Sequence, residues 1–162
     1  MTRSFRSFLI GPLMPLSMLA AAYVLSLLAF AFFRPETEGR VFFYPLNSGE
    51  SIGSERRGIP ARRDPVDEID VFIDELLIGP VALHLEKTAP RGTTLRHVAV
   101  IDKTAYVDLD GGMLRVDEAL PIDFDTAIDT IRTNILFNFP RIEDVVFTIN
   151  GHQIHAPYYA GA

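Results

Sequence analysis

Residues 64–80 read DPVDEIDVFIDELLIGP, and this stretch decides the fold. Asp64 is an N-cap candidate, and Pro65 suits the first helical position, where its missing N–H costs nothing. Asp67 and Glu68 in the first turn favour the positive end of the helix dipole. Val66, Ile69, Phe72, Ile73, Leu76 and Leu77 recur at three- and four-residue steps, which predicts one apolar face. Gly79–Pro80 stops the helix. C-terminal to it, 95–101 and 105–110 read as two short strands joined at Asp102–Lys103–Thr104, with Ala105, Val107 and Leu109 alternating against Tyr106, Asp108 and Asp110. A second amphipathic helix is predicted over 124–138, burying Phe124, Ile128, Ile131 and Ile135, and 144–150 is the last strand. On the N-terminal side, 41–46 (VFFYPL) reads as a strand that Pro45 pushes towards an edge, and 47–63 as a long loop or irregular strand. The order is strand, loop, helix, hairpin, helix, strand. It predicts an α+β two-layer sandwich, with two helices on one face of a small mixed or antiparallel sheet.

Further upstream the character changes. No charge occurs between Arg6 and Arg34, and 14–33 reads MPLSMLAAAYVLSLLAFAFF. About 20 apolar residues cross the roughly 30 Å hydrocarbon core of a bilayer. Gly11, Pro12 and Pro15 are placed at the start of this segment. Every face is apolar, which argues against a core helix. The rival reading is a cleaved signal peptide, with Arg3 and Arg6 as the basic region and Ala20–Ala22 as the small-residue site. That cut leaves YVLSLLAFAFF as an exposed apolar tail, so the uncleaved anchor is preferred. The expected organisation is 1–34 signal anchor, 35–40 linker, 41–154 folded domain and 155–162 tail. The short N-terminal tail is read as inside, which puts 35–162 on the extracytoplasmic side of the cytoplasmic (inner) membrane.

Composition narrows the chemistry. Residues 35–162 hold all 21 acids and 12 of the 15 bases, a net −9. That argues against a phosphate-backbone binder, so no nucleic-acid partner is expected. The absence of cysteine removes disulfides, thiolate metal sites and cysteine nucleophiles. Ser48, Ser51 and Ser54 have no His/Asp partner pattern, and Gly49, Gly53 and Gly58 match no phosphate-binding loop. His152 and His155 form an H-x-x-H with no third ligand in view, so neither metal nor cofactor is expected. Of the other histidines, His84 reads as a surface residue and His97 as a strand residue. Asp108 and Asp110 share one predicted strand face, a pair suited to acid–base work or a divalent ion, although alternating acids on an exposed strand face are ordinarily a matter of solubility. The stripe Asp67, Asp70, Asp74 reads as a solvated helix face. Arg56, Arg57, Arg62 and Arg63 concentrate positive charge in a predicted loop. Guanidinium forks pair well with carboxylate and phosphate, which makes these four the candidate docking residues for an acidic partner surface or anionic cell-wall or lipid groups.

Read in order, VFFYPL, SERRGIP, ELLIGP (Glu75–Pro80), APRGT (Ala89–Thr93), AYVDLD (Ala105–Asp110) and VVFTINGHQI resemble the GerMN domain, the sporulation and spore germination domain of bacterial envelope proteins. The resemblance covers about 41–154. It implies a noncatalytic module of lipoproteins and membrane-anchored proteins, similar to ring-building motifs of envelope complexes. The chain departs from common family patterns in lacking a lipobox cysteine, a second copy and an amidase domain. The expectation is a membrane-anchored module that tethers or assembles envelope proteins or a cell-wall component, with homo-oligomerisation open. A hydrolase using Asp108 and Asp110 is the alternative.

Overall fold

In the computed structural model, residues 4–33, 36–49 and 51–154 are described, and the chain divides into two units, 1–36 and 37–162. The first unit is one helix, α1 (Ser4–Phe33). Its stretch Met14–Phe33 is long and apolar enough to cross a membrane, and none of it is buried. By length and composition it suits an anchor or a signal sequence. The helix begins ten residues before the apolar run, so Pro12 and Pro15 lie inside it rather than at its start. Residues 4–10 (SFRSFLI) contain no helix breaker, and each proline forgoes one backbone bond.

The second unit starts with a hairpin. β1 (Thr37–Pro45) and β2 (Ile52–Pro60) pair antiparallel over nine positions as a two-stranded sheet of their own. Two expectations are thereby corrected: β2 is a regular strand rather than part of a loop, and β1 does not join the main sheet. β1 also begins inside the segment whose composition reads as a linker.

α2 (Pro65–Ile78) follows, with the Asp64 carboxylate accepting the Val66 N–H at 2.8 Å. It ends at Gly79, whose φ of +103° and ψ of 178° lie in a region essentially restricted to glycine. β3 (Leu95–Ile101) and β4 (Thr104–Leu109) form a hairpin. Asp102 and Lys103 both have positive φ, as a two-residue turn between twisted strands requires. A short 3-10 turn at Gly111–Leu114 leads on to α3 (Phe124–Asn138), capped by Asp123. β5 (Asp144–Ile149) runs parallel to β4, and β6 (His152–Gln153) adds a two-residue edge. The parallel β4–β5 pair needs a crossover, and α3 supplies it.

The four-stranded sheet is therefore mixed, in the order β3-β4-β5-β6. α2 packs on β3, α3 packs on β5, and the two helices touch each other, so both lie on one face, as the α+β reading expects. Ile69, Phe72, Ile73 and Leu76 from α2 and Ile131 and Ile135 from α3 meet Val107, Leu109 and Val145 in the core. The hairpin rests on the same helices, β1 on α3 and β2 on α2. Phe42 stacks on Phe72 at 4.6 Å between ring centroids, and Phe139 meets Phe72 edge-on.

Candidate functional site

The β1–β2 hairpin carries most of the chain's unusual chemistry. Cross-strand partners Arg40 and Arg57 share its inner face with Phe42, Tyr44, Glu55 and Ile59. Arg57 is thus an interior residue, its side chain only 16% exposed. Its guanidinium lies over the Phe42 ring at 4.2 Å, a favourable approach of a cation to a ring face. Glu55 stands 3.1 Å away and the Glu75 carboxylate 3.5 Å. The same group donates to the Tyr44 hydroxyl and to the Glu75 carbonyl. Burial pushes the Tyr44 phenol well above its usual range, against the pull of Arg57. Glu55 in turn accepts the N–H groups of Val81 and Ala82 beyond α2. Arg57 therefore docks the hairpin on α2, which corrects its expected place in a solvated loop.

A second tether lies at the other end of α2. Arg40 donates to Glu68, to Glu38 and to the Asn138 carbonyl, and it lies over the Phe139 ring at 4.9 Å. Two asparagines of α3 then close the free edge of β1. Asn138 Oδ1 accepts the Val41 N–H at 3.1 Å while its Nδ2 donates to the Val41 carbonyl at 2.7 Å. Asn134 does the same for Phe43, both bonds at 2.8 Å.

The structure separates the four sequence-predicted arginines. Arg56 lies exposed on the outer face of β2, across Gly39, where a Cβ would sit 2.8 Å from its Nε. Arg62 and Arg63 are exposed between β2 and α2. Arg63 joins two arginines that sequence reasoning did not connect with it: Arg40 and Arg141 line the same cleft of about 340 Å3, over Ile69 and Phe139. Glu68 lines the cleft as well and already pairs with Arg40, which leaves Arg63 and Arg141 as its cations without an ion pair among the described residues. Among the described residues Arg56, Arg62, Arg63 and Arg141 make no ion pair.

The carboxylate pair has other duties. Asp108 Oδ1 accepts the Thr148 hydroxyl and the Gly151 N–H, each at 2.8 Å, and Oδ2 accepts Arg96 Nε at 3.0 Å. Burial works to raise its pKa, but the hydrogen bonds from Gly151 and Thr148 and the charge of Arg96 outweigh it and hold the carboxyl below the usual range. Asp110 lies beyond β4 and accepts the Thr94 N–H at 3.0 Å. These acids staple neighbouring segments, which corrects the expectation of two carboxylates side by side on an open strand face. Replacing Asp108 by asparagine is expected to cost about 2 kcal/mol, since hydrogen bonds to a charged group are the stronger ones. A pKa lowered by folding contributes stability that is present above the unfolded value of about 4 and lost as pH falls through the folded value. The stability gap between wild type and Asp108→Asn, measured in denaturant titrations, should therefore be constant above about pH 5 and narrow as pH falls below about 4. A gap that stays constant as pH falls below about 4 contradicts the staple.

On α2, Asp67 and Asp74 are exposed and Asp70 is half-buried. Partial burial, with Asp70 and Glu75 nearby, raises the Asp74 carboxyl. His84 and His97 are exposed, and His152 sits on β6, whereas His155 lies outside the described residues. Among the described residues no group of three His, Asp or Glu is placed to hold a metal ion.

Comparison with known proteins agrees with this architecture. The first GerMN domain of the sporulation protein GerM from Bacillus subtilis is similar over 78% of this chain and 92% of its own length, with a TM-score of 0.59 and 18% identity. The tandem GerMN domains of the same protein give a TM-score of 0.60, also at 18% identity, covering 74% of this chain. This chain spans 41% of that tandem structure. At such identity the likeness is one of fold. No curated protein matches the sequence closely enough to count as a relative. A family model, described as sporulation and spore germination, matches residues 40–155. With α2, α3, the four-stranded sheet and all but the first three residues of the β1–β2 hairpin inside that span, the chain belongs to the sporulation and spore germination family of GerMN-type domains.

Proposed function

We propose that this protein is a single-pass membrane protein that displays its GerMN domain on the extracytoplasmic side of the cytoplasmic membrane as a noncatalytic assembly module. It would tether or assemble envelope proteins or a cell-wall component, with Arg56, Arg62 and Arg63 as the anionic-partner contacts. The observation that carries this reading is the sequence of units: a fully exposed apolar helix, Met14–Phe33, followed within a few residues by a GerMN domain. Leu16, Met18, Leu19 and Leu25, from different faces of the helix, are each more than 60% exposed, so the helix offers no polar face to water. The hydrolase alternative needs a carboxylate free to exchange protons, and Asp108 is committed to three partners.

Protease added to intact spheroplasts should digest residues 35–162 while an epitope placed before Arg3 stays protected. Digestion only after permeabilisation overturns the orientation, and a mature N-terminus near Tyr23 replaces the anchor by a cleaved signal.

A further inference from the structure

The two outer edges of the β1–β2 hairpin are treated differently by the fold. Val41 and Phe43 turn their N–H and C=O groups away from β2, because those groups bond Asn138 and Asn134. In an antiparallel pair the direction of the backbone groups alternates residue by residue. Arg40, Phe42 and Tyr44 therefore exchange bonds with Arg57, Glu55 and Gly53, their register partners. On β2 it follows that Ser54, Arg56 and Gly58 turn their N–H and C=O groups outward, away from β1. All three residues are exposed. Among the described residues no hydrogen bond reaches those outward groups.

A free edge of this kind is a template for another strand, and folds commonly blunt it with bulges, prolines or short length. The other edges here are blunted. β1 is closed by asparagines, β6 has two residues, and β3 carries an irregularity between Leu95 and His97. β2 runs nine residues in unbroken register and meets a proline only at its end, Pro60.

We propose that the outer edge of β2 is a docking strand that receives an extended acidic segment of a partner protein by β-augmentation, a refinement that rests on the assembly-module reading above. Arg56 is the one charged side chain on the outward face at Ser54–Gly58, and Arg62 and Arg63 follow just beyond Pro60. An acidic side chain opposite Arg56 makes a favourable cross-strand pair. A second copy fits less well. Antiparallel self-pairing along the full edge sets Arg56 directly against its own counterpart, and like charges directly opposite are destabilising. The rest of the domain is acidic, with residues 35–162 at a net −9, so the edge is also where a negative segment meets least repulsion.

Hydrogen exchange of the full chain in nanodiscs tests this, with a blocked decapeptide of alternating valine and glutamate as probe and its valine–lysine counterpart as control. In the free protein the amides of Ser54, Arg56 and Gly58 should exchange fast, while those of Val41 and Phe43 are protected. The glutamate peptide at millimolar concentration should slow the first three by about tenfold or more, the pattern expected of strand addition. The lysine peptide should not, and Arg56→Glu should reverse the preference. Absence of slowing, equal slowing by both peptides, or slowing elsewhere overturns the proposal. So does protection of these amides without peptide that grows with protein concentration, which assigns the edge to a second copy. The spheroplast experiment is independent: an extracytoplasmic domain whose β2 edge ignores the peptide keeps the module reading and loses only this edge.

Discussion

Replacing Asn134 and Asn138 together by leucine is expected to lower the stability of the domain by about 4 kcal/mol, a large share of the roughly 5–15 kcal/mol that holds a typical domain folded. Leucine nearly preserves the shape of the side chain, so packing is not the cause. What disappears is a set of four hydrogen bonds between two side chains and the backbone of Val41 and Phe43, two donated by the side chains and two by the backbone. The geometry is well matched. Four helical residues rise about 6 Å, close to the advance of two strand residues, so asparagines at i and i+4 meet strand residues at j and j+2. Each Nδ2 also donates to the helix carbonyl four residues earlier, Thr130 and Asn134 respectively. Asn134 is fully buried and Asn138 nearly so. Removing the amides leaves backbone donors and acceptors facing hydrocarbon, and an unmet buried polar group costs more than a made bond contributes. Urea titration of the two single variants and the double variant reads the effect. A double variant within about 1 kcal/mol of wild type shows that water replaces the amides and that the asparagines do not hold the hairpin.

The parts of this fold that periodicity reveals are those whose inward positions are apolar. α2, α3 and strands β3 to β5 stand where their hydrophobic spacing places them, because burial of Ile, Val, Leu and Phe decides both the pattern and the structure. β2 was not legible for the converse reason. Its inward positions are Gly53, Glu55, Arg57 and Ile59, so the period of two is present but carried by charge. Glu55 and Arg57 are inside because they neutralise each other against an aromatic floor. The available signal was local: an alternating Glu-x-Arg-x-Ile run within hairpin distance of Phe42 and Tyr44. The asparagines were hidden similarly. Ala127, Ile131, Asn134 and Asn138 recur at helical spacing along the buried stripe of α3, yet a polar residue in such a stripe reads as a break in it. Arg40 reads as linker because RPETEGR has a linker's composition, while its partners Glu68 and Asn138 are distant in sequence.

Arg57 and Arg56 are neighbours in sequence with opposite fates, and exchanging each for alanine should separate them sharply. Arg57→Ala is expected to cost about 4 kcal/mol, the scale for removing one partner of a buried ion pair. The loss leaves Glu55 and Glu75 near a low-dielectric interior with their cation gone, and it uncovers the Phe42 ring. Arg57→Met should cost less, because it keeps the stem that packs on the ring. Arg57→Glu places a third carboxylate beside the first two and should prevent folding at neutral pH. Reversing all four arginines at 56, 57, 62 and 63 is consequently no test of docking, since the variant fails before any partner is met. The informative variant changes Arg56, Arg62 and Arg63 to glutamate and leaves Arg57 in place. Each of these exposed changes should cost no more than about 0.5 kcal/mol, so the triple variant should melt close to wild type while any anionic partner it holds is lost. Thermal melts of the single alanine variants and the triple glutamate variant decide the assignment. Should Arg56→Ala prove as damaging as Arg57→Ala, or Arg57→Ala prove harmless, the inward and outward faces of β2 have been assigned the wrong way round. The outer edge at Ser54, Arg56 and Gly58 would then have no basis as a docking strand.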